Sequence, residues 1–182
     1  MKKYEFTGET KQINLLFRTA TLNRIRAVVE FGLVKIGDLG GWIEKEENLS
    51  HDGKDWVCGD AKVWGNAEVC GDAKVCGDAK VWGNAKVWGN AKVWGNAEVF
   101  SASHVLVIGA IGSRNDFTTF FRDKDGEITV KCGCFLGKID RFLEKVASTH
   151  GNSKYALVYR AAVEVAKLQI DLTGEAPEMD EE

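Results

Sequence analysis

The sequence predicts a mainly β protein in which a three-sided parallel β-helix lies between an N-terminal β-hairpin and a small C-terminal α+β module. Three observations predict this fold. A valine recurs every six residues from Val57 to Val105, a period that places valines on no single face of a helix. Strand-like runs rich in basic side chains precede this repeat, and helical periodicity begins only near residue 138.

Charge and composition divide the chain into four predicted segments. Residues 1–35 hold seven basic and three acidic side chains, whereas residues 171–182 hold six acidic side chains, no basic one and the only proline. The overall net charge of −3 argues against a uniformly basic nucleic-acid coat and leaves room for a local basic patch. The predicted segments are a basic hairpin cap (1–35), the β-helix (36–108), an α+β module of order ββαα (109–171) and an acidic disordered tail (172–182).

The repeat unit reads Val-(Trp/Cys)-Gly-(Asn/Asp)-Ala-(Lys/Glu). In a strand the alanine and valine point to one side and the lysine and tryptophan to the other. Glycine followed by Asn or Asp turns the chain after each strand. Three such sides close a coil of about 18 residues, and stacked coils lie about 4.8 Å apart. Weaker rungs are expected from Ile36 onward, and include Leu39, Ile43 and Leu49.

Folding the repeat at 18 residues per coil places its outward side chains in three columns: Trp64, Trp82 and Phe100; Cys70, Trp88 and Leu106; Cys58, Cys76 and Trp94. Such columns with lysines beside them could stack unpaired bases and contact phosphates. Alternatively, they pack on one another or against another domain or subunit, so that a homo-oligomer is possible. The five cysteines are expected to be free thiols, because an odd count without a secretion signal indicates a reducing cytoplasm.

The N-terminal hairpin carries the main candidate site. Its basic side chains are suited to the phosphates of RNA, and the alternative is an ordinary solvated hairpin face. The candidate RNA-binding residues are Lys3, Lys11, Arg18, Arg24 and Arg26.

The C-terminal module is predicted from strands over 105–108, 117–122 and 127–132 and helices over 138–148 and 154–170. Its polar loop Ser113, Arg114, Asn115 and Asp116 is a second candidate binding loop, and an ordinary turn is the alternative. Cys132-Gly133-Cys134 with His150 gives too few ligands for a structural zinc. No catalytic residue, metal or cofactor is predicted, and whether the chain is an enzyme stays open.

No run of about 18 uncharged apolar residues is present, so no membrane span is expected. The first ten residues also lack the apolar core of a signal peptide. These features predict a cytoplasmic protein.

The residues around the first rungs and near the C-terminus carry a family resemblance. The chain resembles hexapeptide-repeat proteins of bacterial phages and mobile elements in these segments: Ile25-Arg26-Ala27, Gly37-Asp38-Leu39-Gly40-Gly41-Trp42-Ile43-Glu44, Asn48-Leu49-Ser50, Trp56-Val57 and the repeats that follow. Cys132-Gly133-Cys134-Phe135, Gly137, Phe142, Val146, His150-Gly151 and Tyr159 are similar to a module found behind such repeats. The resemblance implies a left-handed β-helix.

Within this group the chain looks like anti-CRISPR proteins that disable type II CRISPR-Cas nucleases through the guide RNA. This resemblance implies a host bacterial cytoplasm, a nuclease with its guide RNA as partner, and loss or shortening of the guide as outcome. Two alternatives remain. One is a structural, self-assembling β-helix protein. The other is a hexapeptide-repeat acyltransferase, which the uninterrupted repeat from Val57 to Val99 and the outward position of His104 at its end disfavour.

Overall fold

The computed structural model describes residues 1–174 and the backbone of residues 179–181. The protein is mainly β, with a β-solenoid of about three turns and two C-terminal helices, which confirms the predicted fold class. The strands are β1 (Tyr4–Leu15), β2 (Arg18–Ala27), β3 (Leu39–Ile43), β4 (Leu49–Gly53), β5 (Trp56–Val57), β6 (Lys62–Val63), β7 (Glu68–Gly71), β8 (Lys74–Val75), β9 (Lys80–Val81), β10 (Lys86–Val87), β11 (Lys92–Val93), β12 (Glu98–Val99), β13 (Val105–Ile111), β14 (Asp116–Arg122), β15 (Ile128–Cys132), β16 (Phe135–Lys138) and β17 (Met179–Glu181). The helices are α1 (Ile139–His150) and α2 (Lys154–Gln169).

The solenoid has three faces whose strands pair in parallel with neighbours one coil away. The first face orders β3-β6-β9-β12, the second β4-β7-β10 and the third β5-β8-β11. Val63 aligns with Val81 and Val81 with Val99, so one coil takes 18 residues. The valines from Val57 to Val99 and the alanines from Ala61 to Ala97 are fully or almost fully buried. The predicted interior of the coil is therefore confirmed.

The first rungs differ from the prediction. Ile43 and Leu49 are buried, but Ile36 and Leu39 are 66% and 51% exposed and line no interior. The coil closes only at Gly40 and Gly41, where the chain presses against its neighbours. A Cβ on Gly40 would lie 2.4 Å from the Ile25 side chain, and one on Gly41 would lie 2.5 Å from a backbone oxygen. Residues 35–39, immediately before this point, are all exposed, whereas Phe31 and Val34 pack against the solenoid core.

The N-terminal hairpin continues the first solenoid face. β1 pairs antiparallel with β2, and β2 pairs antiparallel with β3. On one side of the hairpin, Tyr4 and Ile25 join the solenoid core. On the other side, Ile13 and Leu22 pack with Trp42 and the tryptophans of the first face. The hairpin therefore closes the N-terminal end of the core and also covers part of the outer surface.

The C-terminal module is a four-stranded antiparallel meander of order β13-β14-β15-β16 followed by α1 and α2. The sheet has two strands more than the predicted ββαα order: β13, which was predicted as a strand over 105–108 but assigned to the β-helix segment, pairs with β14, and β16, which was not predicted, pairs with β15. One side of the sheet packs Phe120 against Phe142 of α1 and Tyr159 of α2. On the other side, Phe121 joins the solenoid core. Neither α1 nor α2 is long and apolar enough to cross a membrane, and the structure describes no other α-helix.

The predicted acidic tail over residues 172–182 includes residues 175–178 and 182, which lie outside the described residues. β17 pairs antiparallel with β1 along Ile13–Leu15. The C-terminal strand therefore adds to the outer edge of the hairpin.

The cysteines are not all free thiols, in contrast to the prediction. Cys58 and Cys76 form a disulfide with a Cα–Cα distance of 4.7 Å. They occupy the same repeat position in successive coils, and the coil spacing brings two stacked cysteines within bonding range. Cys70, Cys132 and Cys134 are free.

Candidate functional site

Lys3 lies inside the protein rather than on the hairpin surface. Its Nζ donates to the Asp55 carboxylate at 2.7 Å and to the Asp55 backbone carbonyl at 2.9 Å. The Lys3 residue is 3% exposed and Asp55 is fully buried. Burial raises the pKa of Asp55 to about 6 and lowers the pKa of Lys3, and their mutual attraction opposes both shifts. In this fold the Lys3 ammonium anchors the N-terminus and is not available to a phosphate.

Two of the candidate cations converge on one tryptophan ring. Lys11 Nζ lies 4.4 Å and Arg24 Cζ lies 5.1 Å from the ring centroid of Trp42, within the range of cation–π contacts. We call Lys11, Arg24, Trp42 and the neighbouring Asp60 the indole cluster. Trp42 itself is 4% exposed, so its ring holds the cations in place and offers no open face to a base.

The indole cluster is incompletely neutralised. Asp60 accepts from Trp42 Nε1 at 3.4 Å and from Lys11 Nζ at 3.5 Å. These contacts, the Trp42 hydrogen bond first, lower the pKa of Asp60. Arg24 makes no ion pair with any described residue, and its Nε is buried without a hydrogen-bond partner. Because this Nε is closed to solvent, a second anion would have to be bound by the terminal nitrogens of the Arg24 guanidinium.

The remaining two candidate cations are paired with carboxylates. Arg18 donates through two nitrogens to both oxygens of Glu44, which also accepts from the Gly65 backbone N–H at 2.7 Å. The Arg18 contact lowers the pKa of Glu44. Arg26 pairs with Glu5 across the hairpin, and both side chains are about half exposed. Arg18 therefore ties the hairpin to the solenoid, whereas Arg26 remains at the surface.

The outward aromatic columns are mostly closed to bases. Trp64 and Trp82 stack with parallel rings 5.0 Å apart, and Phe100 continues the stack 5.0 Å beyond. We call these three residues the tryptophan ladder. Its tryptophans are 1% and 5% exposed. On the third face Trp94 lies under Lys131 at 4.6 Å. Among the outward tryptophans of the repeat, only Trp88 is largely open, at 51% exposed, with Lys86 Nζ 4.9 Å from its ring.

The second candidate loop borders a cleft in the C-terminal module. Ser113, Arg114 and Asp116 line this cleft, but Asn115 does not. Asn115 has a φ of +50°, which turns the chain between β13 and β14. The opposite walls come from the turn around Gly133, from α1 and from α2, and they include these residues: Cys132, Cys134, Phe135, Phe142, Lys145, His150 and Tyr159. Gly112 packs closely on Tyr159, because a Cβ there would lie 1.8 Å from the Tyr159 hydroxyl.

The cleft holds reactive residue types without assembling them for catalysis. Cys132 Sγ accepts from Thr118 Oγ1 at 3.3 Å and lies 3.9 Å from the Tyr159 hydroxyl. Burial, with a smaller contribution from Cys132, raises the pKa of Tyr159 to about 12, so the phenol stays protonated near neutral pH. His150 stacks on Tyr159 and makes no side-chain hydrogen bond to either cysteine in the described part of the chain. Among the residues described, no group of three or more metal-ligand side chains occurs.

His104 is a buried core residue and not a catalytic histidine at the end of a loop. It is 2% exposed, its Nδ1 accepts from the Phe100 backbone N–H at 3.3 Å, and its ring meets Phe100 edge-on. Burial, and then the nearby Arg122, lower the pKa of His104. The predicted outward position is wrong because a 3-10 turn over Ala102–His104 follows the last repeat strand and changes the direction of the side chain.

Sequence reasoning missed Trp42 and Asp60, which organise the indole cluster. The sequence offered one signal, the position of Asp60 at a repeat corner, whereas the pairing of Trp42 with Lys62 is visible only in the structure. The contact with Lys11 depends on the hairpin bending over this face, which the repeat does not encode.

No protein-family model matches the chain, and no curated protein sequence matches it significantly.

Proposed function

We propose that this chain inhibits a type II CRISPR-Cas nuclease by binding its guide RNA through the indole cluster of the hairpin. The observation that carries the proposal is the pair of cations, Lys11 and Arg24, held over one buried indole with a single carboxylate beside them. The identity of the RNA rests on the resemblance of the sequence motifs to anti-CRISPR proteins.

The charge balance favours a local contact over a broad electrostatic surface. Among the candidate cations outside the core and the acids that pair with them, Lys11, Arg18, Arg24 and Arg26 stand against Glu5, Glu44 and Asp60, an excess of one positive charge within this set. A small number of fixed cations can contact only a few phosphates. Each phosphate contact to single-stranded RNA steepens the fall of log affinity with log salt concentration by about 0.7. We expect a shallow salt dependence.

The fold supports such a contact by holding the hairpin rigidly. The Arg18–Glu44 pair, the Lys3–Asp55 pair and the packing of Leu22 on the tryptophan ladder fix the hairpin to the solenoid. A preorganised site loses little entropy on binding. CRISPR nucleases enclose much of the guide in a positive channel, so the hairpin would act on RNA that lies outside that channel.

The test incubates the full chain with labelled guide RNA, with and without the nuclease, and measures binding, guide length and target cleavage. The variant is Lys11→Glu/Arg24→Glu. Its matched control is Lys35→Glu/Lys124→Glu, which makes the same change in net charge at exposed lysines outside the cluster.

The proposal predicts that the wild-type chain and the control bind the guide and block cleavage, while the cluster variant loses at least tenfold in RNA affinity and most of its inhibition. Circular dichroism confirms that each variant is folded. Unchanged inhibition by the cluster variant would contradict the assigned site. A wild-type chain that neither binds the guide nor inhibits would contradict the function. Guide shortening without nuclease would assign the cleavage to this chain, and shortening only with nuclease would assign it to the complex.

A further inference from the structure

The cleft beside loop 113–116, which we call the module cleft, takes no part in the proposed function. It opens where the β13–β14 turn, the β15–β16 turn and one side of α1 meet. α1 contributes side chains at intervals of three, one, three and one residues, the spacing of a single helix face: Phe142, Lys145, Val146, Thr149 and His150. Phe142 and Val146 are buried and form the floor, whereas Lys145 and Thr149 are exposed at the rim.

The module cleft has the size of one aromatic ring. Its volume is about 160 Å³, close to the roughly 150 Å³ of an apolar cavity that takes up benzene. Ring side chains follow one another along its wall: Phe135 lies 5.3 Å from Phe142 between centroids, and Phe142 meets Tyr159 edge-on at 5.5 Å. Aromatic pairs prefer tilted or edge-on contacts of this kind. A further planar ring would extend a set of contacts that the cleft already contains.

The lining of the module cleft carries more positive than negative charge. Arg114 and Lys145 contribute two cations, and neither makes an ion pair with any described residue. Asp116 is the one carboxylate among the described residues that line the cleft, and one of its oxygens already accepts from the Phe117 backbone N–H at 2.7 Å. With His150 counted as neutral, an excess of one positive charge remains. This excess matches the single negative charge of a carboxylate.

Two hydrogen-bond donors of the module cleft lack a good acceptor. The Arg114 guanidinium reaches the β15–β16 turn, where its Nη1 would lie 3.3 Å from a Cβ on Gly133, and it donates to no described residue. The Tyr159 hydroxyl has one weak contact, with the Cys132 thiol at 3.9 Å. Burial raises the pKa of Tyr159, and the charge of Arg114 opposes this shift, so the two donors lie near one another. A carboxylate accepts hydrogen bonds from both kinds of donor.

We propose that the module cleft binds a small aromatic carboxylate, whose ring packs against the aromatic wall and whose carboxylate lies at the rim beside Arg114 and Lys145. Burial of the ring supplies part of the affinity, and the cations select an anion over a neutral ring of the same shape. A carboxylate without a ring leaves the apolar wall uncovered. A doubly charged anion exceeds the charge that the lining offers.

The first test is an NMR titration of the ¹⁵N-labelled full chain with benzoate up to about 20 mM, because a ligand of this size binds weakly. Benzamide keeps the ring without the charge, acetate keeps the carboxylate without the ring, and phenyl phosphate replaces the carboxylate by a group that is largely doubly charged near pH 7.5. We expect benzoate to bind at least tenfold more tightly than each of the other three compounds. The amide signals that move should belong to residues 113–116, 132–135 and 142–150.

The titration contradicts the proposal in three cases. One is the absence of saturable benzoate binding. Another is movement confined to amide signals outside those three ranges. The third is binding of benzamide, acetate or phenyl phosphate that is as tight as that of benzoate, because each result would remove the charge, the ring or the single negative charge from the recognition.

The variant Arg114→Gln/Lys145→Gln removes both cations from the rim. It should lose at least tenfold in benzoate affinity and keep its benzamide affinity within about threefold. The matched control Arg141→Gln/Arg160→Gln makes the same change in net charge at exposed arginines of α1 and α2 that do not line the cleft, and it should bind both compounds as the wild type does. Unchanged benzoate affinity in the rim variant, or an equal loss for benzamide with the fold intact by circular dichroism, would contradict the roles of the two cations.

Cysteine alkylation locates the ligand independently. Cys134 is exposed and lines the module cleft, whereas Cys70 is a free cysteine on the second solenoid face. Benzoate at saturation should slow the reaction of Cys134 with iodoacetamide at least threefold, measured by peptide mass, and leave Cys70 unchanged. An unchanged rate at Cys134, or equal slowing at both cysteines, would overturn the proposal. None of these measurements requires RNA or a nuclease, so this site and the proposed function can fail separately.

Discussion

Trp82 and Trp88 occupy the same position of the repeat, one corner apart, yet they have opposite surroundings. Trp82 lies between Trp64 and Phe100 in the tryptophan ladder and is 5% exposed. Trp88 points outward from the second face and is 51% exposed, with only Lys86 over its ring. Identical local sequence therefore produces a core residue on one face and a surface residue on the next.

The difference shows what the repeat decides and what it leaves to the ends of the chain. The six-residue period determines whether a side chain points inward or outward. What covers an outward side chain depends on segments without the repeat, because Ile13 and Leu22 of the hairpin pack on the first face and no described element covers Trp88 in this way. The solenoid is a uniform scaffold, and its faces differ through what docks on them.

The largest expected effect is the difference in stability loss between alanine substitutions of these two tryptophans. Trp82→Ala removes a buried ring and should lower the free energy of unfolding by about 3–5 kcal/mol. Trp88→Ala removes a half-exposed ring and should cost less than about 1 kcal/mol. Urea unfolding followed by circular dichroism measures both. Equal losses would mean that the ladder contributes no more than an exposed side chain.

The third face adds a covalent link in place of aromatic stacking. Replacing both Cys58 and Cys76 by alanine removes a cross-link that closes a loop of about one coil, and should cost about 3 kcal/mol. Reduction of the wild-type protein should produce a similar loss, measured by urea unfolding with and without reductant. The double variant should be insensitive to reductant. A reductant effect that persists in it would assign the loss to another cysteine.

The corner glycines that follow the two tryptophans provide a smaller contrast. Gly83 and Gly89 both have positive φ, +62° and +60°, so alanine costs about 1–2 kcal/mol of backbone energy at either site. A Cβ on Gly83 would also lie 2.6 Å from the Phe100 carbonyl oxygen, whereas one on Gly89 meets nothing within 4 Å. Gly83→Ala should therefore be the more destabilising by about 1–2 kcal/mol. The difference in urea midpoint between the two variants measures it.

The smallest effect concerns His104, which ends the tryptophan ladder. Its pKa is lowered by burial, so the unfolded chain binds a proton more readily, and stability is lost as pH falls below the unfolded value of about 6.5. His104→Asn keeps a hydrogen-bond acceptor for Phe100 and should flatten this loss, by less than about 1.4 kcal/mol per pH unit. Asp55 titrates in the same pH range, with a pKa of about 6, and its effect on stability has the opposite sign. The difference between the stability–pH curves of wild type and variant cancels the contribution of Asp55. Parallel curves would show that His104 is not the titrating group.

The interior of the solenoid could be predicted from sequence because its contacts are local and repeated. Each valine meets the valine one coil away, so the period alone specifies core, coil length and column. Strands β13 to β15 and both helices of the C-terminal module also followed from periodicity and turn residues, whereas β16 was not predicted. The disulfide was not predicted from sequence. The repeat placed Cys58 and Cys76 in one column, but the expectation of a reducing cytoplasm argued against a bond between them.

The candidate site was harder to predict, since its contacts join residues that are distant in sequence. Lys3 was one of five candidate RNA-binding cations on a segment with seven basic side chains, and nothing near it in sequence indicates that Asp55, 52 residues later, would bury its ammonium. Arg24 and Lys11 were correctly placed on the hairpin, but Trp42 and Asp60 lie beyond the hairpin sequence. Partners across a domain boundary determine which cations remain free, and a single sequence does not specify them.

Because each coil takes 18 residues, the solenoid can be lengthened or shortened by whole coils. Removing one complete turn would bring the hairpin and the helical module about 4.8 Å closer without changing which side of the prism each one occupies. Removing a single six-residue unit would instead rotate the C-terminal module about the solenoid axis by about a third of a turn, because one unit forms one of the three sides of a coil. Deletions of whole coils would therefore change the distance between the hairpin and the C-terminal module, and deletions of single units would change their relative orientation about the solenoid axis.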